Sequence, residues 1–198
     1  MKKINFPNCA FFYFSFIICL TSSQYAGEKP STHTQNEEAV DQMRIKTPEI
    51  AGLLKKSLAR MREIDKEVKA LARENWLKRE KTNPKLMVII SNANGEFAIL
   101  NIRLFSENGP IEMADKAVFK DSACRDEIKN KRYQIHFDKT GKVLSLTIGA
   151  IDAWLEFYPS GRLNVFQVLQ GKEIISDLRI NDDDTIISEK YSPKNNTR

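Results

Sequence analysis

The chain of 198 residues carries 31 basic and 26 acidic side chains, a net charge of +5, two histidines and three cysteines. That charge is too mild to call for a nucleic-acid partner. No CxxC, HExxH, Walker loop or dinucleotide fingerprint occurs, so the common metal and nucleotide chemistries have no carrier in the sequence.

The chain opens with Met1-Lys2-Lys3, continues with an uncharged apolar stretch from Cys9 to Leu20, and then supplies the small residues Thr21, Ser22, Ser23 and Ala26. Basic, apolar, small is the order of a secretory signal. Cleavage after Ser23 puts small residues at both recognition positions, whereas cleavage after Ala26 would put Gln24 at one of them. Residues 1–23 are therefore expected to be a signal peptide and the product to be exported, to the periplasm or outside the cell. An uncleaved N-terminal anchor is the alternative, but the apolar run is about a dozen residues against the ~20 a spanning helix needs. A lipoprotein cysteine at Cys19 would need a small residue before it, where Ile18 stands. Removal of residues 1–23 leaves 29 basic and 26 acidic side chains, a charge of +3, and no expected membrane span. It also takes away Cys9 and Cys19. Cys124 alone cannot form an internal disulfide, so the exported domain must hold together by packing.

Residues 24–46 are polar and are expected to form a flexible tether, with a helical turn around Ala39 to Arg44. Thr47-Pro48-Glu49 then reads as a helix start: a capping residue, proline at the first position and an acid at the positive end of the dipole. The helix is expected over 47–82, stopped by Asn83-Pro84. Its apolar positions, Ile50, Leu53, Leu54, Leu58, Met61, Ile64, Val68, Leu71, Ala72 and Trp76, recur at steps of three and four. They predict packing on the sheet. The competing reading is a coiled-coil seam through Leu54, Met61, Ile64, Val68 and Leu71, which would make an oligomer through the helix; Ser57 and Asn75 interrupt it. Lys55, Arg62, Lys66, Lys69 and Arg73 fall within about 60° of one another. They make either a solvated face or a surface for an anionic envelope component, with Glu63, Glu67 and Glu74 beside them.

From Leu86 the period changes to that of strands separated by turns, and residues 85–191 are expected to form an antiparallel meander of about seven or eight strands. Candidate strands are Leu86 to Ile90, Phe97 to Phe105, residues 111–119, Arg132 to Phe137, Val143 to Ile148, Ala153 to Tyr158, Leu163 to Leu169, Glu173 to Ile180 and Thr185 to Lys190. Asp121 to Asn130 reads as a short helix or loop. Neither side of Leu163 to Leu169 is cleanly polar, which predicts cover on both faces, one of them by the helix. Residues 192–198 are expected to be a disordered tail. The fold class is thus α+β.

Phe137-Asp138-Lys139-Thr140-Gly141-Lys142-Val143 aligns with Phe157-Tyr158-Pro159-Ser160-Gly161-Arg162-Leu163, and Ile180-Asn181-Asp182-Asp183-Asp184-Thr185-Ile186 is a third copy with Asp184 in the place of glycine. The middle of this stretch, Glu156 to Leu163, resembles MORN-type repeats, particularly the bacterial antitoxin-like variant. The resemblance covers residues 137–190 and the turn motif only; Gly171 alone stands where that family pairs glycines. It implies stacked hairpins in an extended sheet that serves as a binding or scaffold surface, as in an inhibitor or immunity-type module.

Cys124 and His136 are the one pair resembling a nucleophile and base, and no third group is indicated. Asp182-Asp183-Asp184 offers oxygen ligands without EF-hand spacing and reads as a hairpin turn. No catalytic residue, metal ligand or cofactor is assigned. Trp154 and Tyr158 are candidates for a binding face on the sheet, beside the basic helix residues. The expected function is a non-enzymatic exported binding or envelope module with a protein or anionic envelope partner, followed by the immunity-type reading and by a small exported hydrolase.

Overall fold

Past Pro84, short runs rich in Val, Ile, Leu and Phe alternate with turns built on Asn, Asp and Gly, and each run becomes a strand. The computed structural model describes residues 40–79, 82–149 and 151–192. The expected signal, the first part of the tether and the tail from residue 193 lie outside them. The strands are β1 (Leu86–Ala93), β2 (Glu96–Leu104), β3 (Ile111–Phe119), β4 (Tyr133–Phe137), β5 (Val143–Ile148), β6 (Ala153–Phe157), β7 (Leu163–Gln170), β8 (Glu173–Ile180) and β9 (Ile186–Tyr191). Each pairs antiparallel with the next, giving one sheet in the order β1 to β9. Among the described residues the meander therefore has nine strands rather than seven or eight. β1 extends to Ala93 because its turn is only Asn94-Gly95, whose φ values of 55° and 76° are those of a type I′ hairpin.

The helix expected over 47–82 is shorter. α1 spans Pro48–Asn75, 28 residues, and a 3-10 turn, Trp76–Lys78, follows. Asn75 ends it chemically: its Nδ2 donates to the Leu71 carbonyl at 2.9 Å, competing with the backbone ladder. Arg79 is extended, donates to the Trp76 carbonyl at 2.9 Å and stacks over the Trp76 ring at 4.5 Å.

The apolar stripe of α1 packs on the sheet. Ile50, Leu54, Leu58, Met61, Ile64, Val68 and Ala72 share one core cluster with Ile102, Ala114, Ile135, Leu146, Leu155, Phe166 and Leu178, one from each of seven neighbouring strands. A coiled-coil seam would need the same stripe. Ser57, which interrupts the heptad, is buried with it and returns its hydroxyl to the Leu53 carbonyl at 2.8 Å. In β7 the side facing α1 carries Leu163, Phe166 and Val168, not a single parity, because the register shifts opposite Glu156/Phe157. That bulge, invisible to simple alternation, is why the strand looked covered on both faces. Its other face bears Val165 and Gln167, and α1 does not cover it.

Two further contacts tie the layers. Lys116 of β3 pairs with Glu67 of α1 at 2.6 Å. At the start of α1, Thr47 makes no side-chain cap; instead the Glu189 carboxylate of β9 accepts from Thr47 N at 2.6 Å and Lys46 N at 3.0 Å. A carboxylate from the sheet thus meets the positive end of the helix dipole. Within the last part of the expected tether, residues 40–42 form a helical turn, in the stretch where one was expected, and Val40 and Met43 are buried in the core. Among the described residues no helix is long and apolar enough to cross a membrane.

Candidate functional site

Pairing registers place one side chain per strand in a row across the face opposite α1. The row reads Val88, Asn101, Asp115, Gln134, Thr147, Trp154, Gln167, Asp177 and Lys190. A second row, parallel to it, reads Leu86, Arg103, Met113, His136, Ser145, Glu156, Val165, Arg179 and Ser188. The two rows are therefore mostly polar from β3 to β9, with Met113 and Val165 as apolar members and Trp154 as their one large aromatic, while Phe97 and Phe119 pair on the same face at the β2–β3 end. Trp154 remains 40% exposed, directly between Thr147 and Gln167.

Several polar groups of this face are held by side-chain bonds. Gln167 is buried and donates from Nε2 to Asp177 Oδ1 at 2.7 Å, while Arg179 Nε lies 3.4 Å from Asp177 Oδ2. Arg103 grips both oxygens of Glu112, at 2.9 and 3.4 Å. Gln134 contacts Met113 Sδ at 3.7 Å. Both charge signs are interspersed and partly neutralised locally, so the face presents hydrogen-bonding groups and an indole ring rather than a block of one charge.

One rim of the sheet is built by the three turns that the sequence aligned. In each, the first residue's N–H donates to the carbonyl four residues on, and the fourth residue's N–H returns to the first carbonyl: Asp138 with Lys142 and Gly141, Tyr158 with Arg162 and Gly161, Asn181 with Thr185 and Asp184. The fourth residue has positive φ each time, at 81°, 92° and 66°. This is the three-residue hairpin loop, a type I turn closed by a left-handed residue. A register shift follows at the same place in each strand pair. The turns also interlock. Lys142 Nζ reaches the Pro159 carbonyl at 3.4 Å, Arg162 Nη1 the Asp182 carbonyl at 2.6 Å and Asp184 Oδ2 at 3.3 Å, and Ser160 Oγ bonds Asp182. Partial burial pushes the Asp138 carboxyl up, but hydrogen bonds from Thr140 and Lys142 outweigh it and hold it below the ordinary value. A bond from Thr185 lowers Asp183 in the same way.

Of the sequence candidates, Trp154 stands on the open face, while Tyr158 belongs to the rim, where its hydroxyl donates to the Ile180 carbonyl at 3.1 Å. The basic helix residues divide. Lys55 pairs with Asp41 at 2.5 Å, and Lys69 pairs with Asp65 at 2.9 Å and lies 5.7 Å from the Phe137 ring at the helix–sheet junction. Arg62 is half-buried, and Lys66 and Arg73 are exposed. Cys124 is exposed in the β3–β4 connection, whereas His136 sits within β4. Asp183 is occupied by the Thr185 backbone and hydroxyl, at 3.0 and 2.5 Å. Among the described residues no three potential metal ligands cluster.

Asn101, Gln134, Thr147, Gln167 and Asp177 were not singled out from sequence. Each is an ordinary polar residue in its own strand; only the cross-strand register sets them in one row with Trp154. Compared with protein-family models, with curated proteins and with solved structures, the chain shows no significant match.

Proposed function

We propose that this chain is an exported, non-enzymatic binding module that offers the open face of its sheet to a protein partner in the cell envelope or outside the cell. The observation that carries the reading is the polar row with half-exposed Trp154 at its centre, its flanking amide and carboxylate held by each other. A large aromatic among fixed hydrogen-bonding groups is the composition of an interface centre. The helix is the weaker candidate surface, because Lys55 and Lys69 are already matched with acids. Export rests on the basic, apolar, small pattern of residues 1–23.

Two measurements test this. Residues 1–46 fused to a reporter enzyme active only after export should give activity, and none with Lys2 and Lys3 changed to Glu. Affinity capture from the envelope fraction should recover a partner with the native chain and with Lys66→Ala, and lose it with Trp154→Ala. Capture indifferent to Trp154 would sink the open-face reading. The immunity-type alternative draws on the three matching turns, which are what the MORN-type resemblance leads one to expect; its partner would be a toxin, inhibited by the native chain in a mixed assay.

A further inference from the structure

We infer that β1 is a docking edge for a second copy of this chain, which adds its own β1 antiparallel about a two-fold axis normal to the sheet. Among the described residues β1 pairs with β2 alone. Its eight residues hold no charge and no proline, and the β1–β2 register is unbroken, while five other strand pairs are kinked by register shifts. Native sheets guard their edges with charge, proline, bulges or brevity. The opposite edge follows that rule: β9 has six residues, among them Glu189 and Lys190. β1 does not, and it exposes Val88 at 42% and Ile90 at 61%.

A bare strand edge fits an extended backbone, because about every second residue turns its N–H and C=O outward. Charge decides in favour of β1 itself as the occupant. An uncharged strand pairs with its own copy without setting like charges opposite. A two-fold normal to the sheet keeps each face on its own side, so residues of the same parity must meet. The register centred on Ile89 sets Val88 opposite the partner's Ile90 and Leu86 opposite the partner's Asn92. It also brings Lys85 opposite the partner's Ala93, beside the partner's Glu96, since Ala93 and Glu96 are paired within each copy. Glu96 is bridged to Lys131 of its own chain at 2.6 Å, so Lys85 joins an existing ion pair at each end and no like charges face each other across the strand pair. Centring on Ile90 instead would set Val88 against asparagine, losing the apolar pairing.

One eight-residue edge is a small interface, so a dissociation constant on the order of micromolar is expected. Sedimentation equilibrium of the full chain, from roughly 1 to 300 µM, should show a concentration-dependent dimer. The double variant Val88→Lys/Ile90→Lys places like charges opposite each other across the axis. Both positions are exposed, so the variant keeps its circular dichroism spectrum, and its dimer should be weaker by about tenfold or more. Ile187→Lys, on the β9 edge, should leave association unchanged. In a Cys9→Ser/Cys19→Ser/Cys124→Ser background, Ile89→Cys should cross-link to its copy under mild oxidation, because opposed Cα atoms in antiparallel strands lie within disulfide reach. A monomer throughout the range would overturn the inference, as would a dimer that ignores the Val88/Ile90 change, one that responds to Ile187→Lys, or an Ile89→Cys chain that fails to cross-link.

Discussion

At the scale of single residues, Glu189 supplies a side-chain bond at the start of α1, to the Lys46 and Thr47 N–H groups, where the Thr47 side chain makes none. Partial burial pushes its carboxyl up, but the hydrogen bonds from Thr47 and Lys46 and the charge of Lys46 outweigh it, and its pKa lies below the ordinary 4.5. A carboxyl with a lowered folded-state pKa contributes its full stability above the unfolded value and loses it as pH falls through the folded value. Glu189→Gln should therefore cost about 1 kcal/mol in urea unfolding at pH 7, the typical value of a helix cap. The difference should shrink below pH 4.5 and vanish once the native carboxyl is protonated. Ser176 is the opposite case. It is fully buried on the α1 side of β8, and its hydroxyl has no hydrogen-bond partner among the described residues. Replacing a buried, unbonded hydroxyl by hydrogen removes a desolvation cost of about 1 kcal/mol, so Ser176→Ala should raise the denaturation midpoint. A lower midpoint would mean that the hydroxyl is bonded in solution. Tyr133, whose buried hydroxyl likewise has no hydrogen-bond partner among the described residues, is pushed well above the ordinary tyrosine range by burial and by the charge of Glu67.

At the scale of elements, the three rim turns form a controlled set. A Cβ added at Gly161 meets nothing within 4 Å, so the cost of Gly161→Ala lies in the backbone alone. At a φ of 92° that cost should be about 1–2 kcal/mol, read as a lower midpoint with an unchanged slope in chemical unfolding. Gly149 differs: a Cβ there would run into the Lys129 carbonyl, so strain would come from packing. The turns were the most legible part of the sequence, because Asp-x-x-Gly and Asn-Gly state their backbone directly. Strand positions followed from them, and so did the helix stripe, where eight buried residues of α1 include seven of the predicted apolar positions and Ser57. What stayed hidden was set by other elements. The end of α1 depends on a side chain folding back, the register of β7 on a bulge opposite it, and the cap on a residue 142 positions away. The polar row around Trp154 needed all eight registers at once, which no single strand encodes.

At the scale of the whole molecule, the two faces of the sheet divide the labour. One packs its apolar residues on α1, and the other carries a mostly polar surface from β4 to β9 whose loss should not threaten the fold. Trp154→Ala should therefore leave the unfolding free energy within about 0.5 kcal/mol of the native chain while abolishing partner capture. A large destabilisation would recast the indole as part of the core. The clasp between Glu189 and the start of α1 has a consequence for kinetics. Every strand pairs with its sequence neighbour, so hairpins close short loops and form early. The clasp closes a loop of 142 residues, whose entropy must be met before the contact returns anything. It should therefore form on the native side of the folding barrier. Weakening it should then speed unfolding and leave the refolding rate in place, a separation that stopped-flow measurements on Glu189→Gln would resolve.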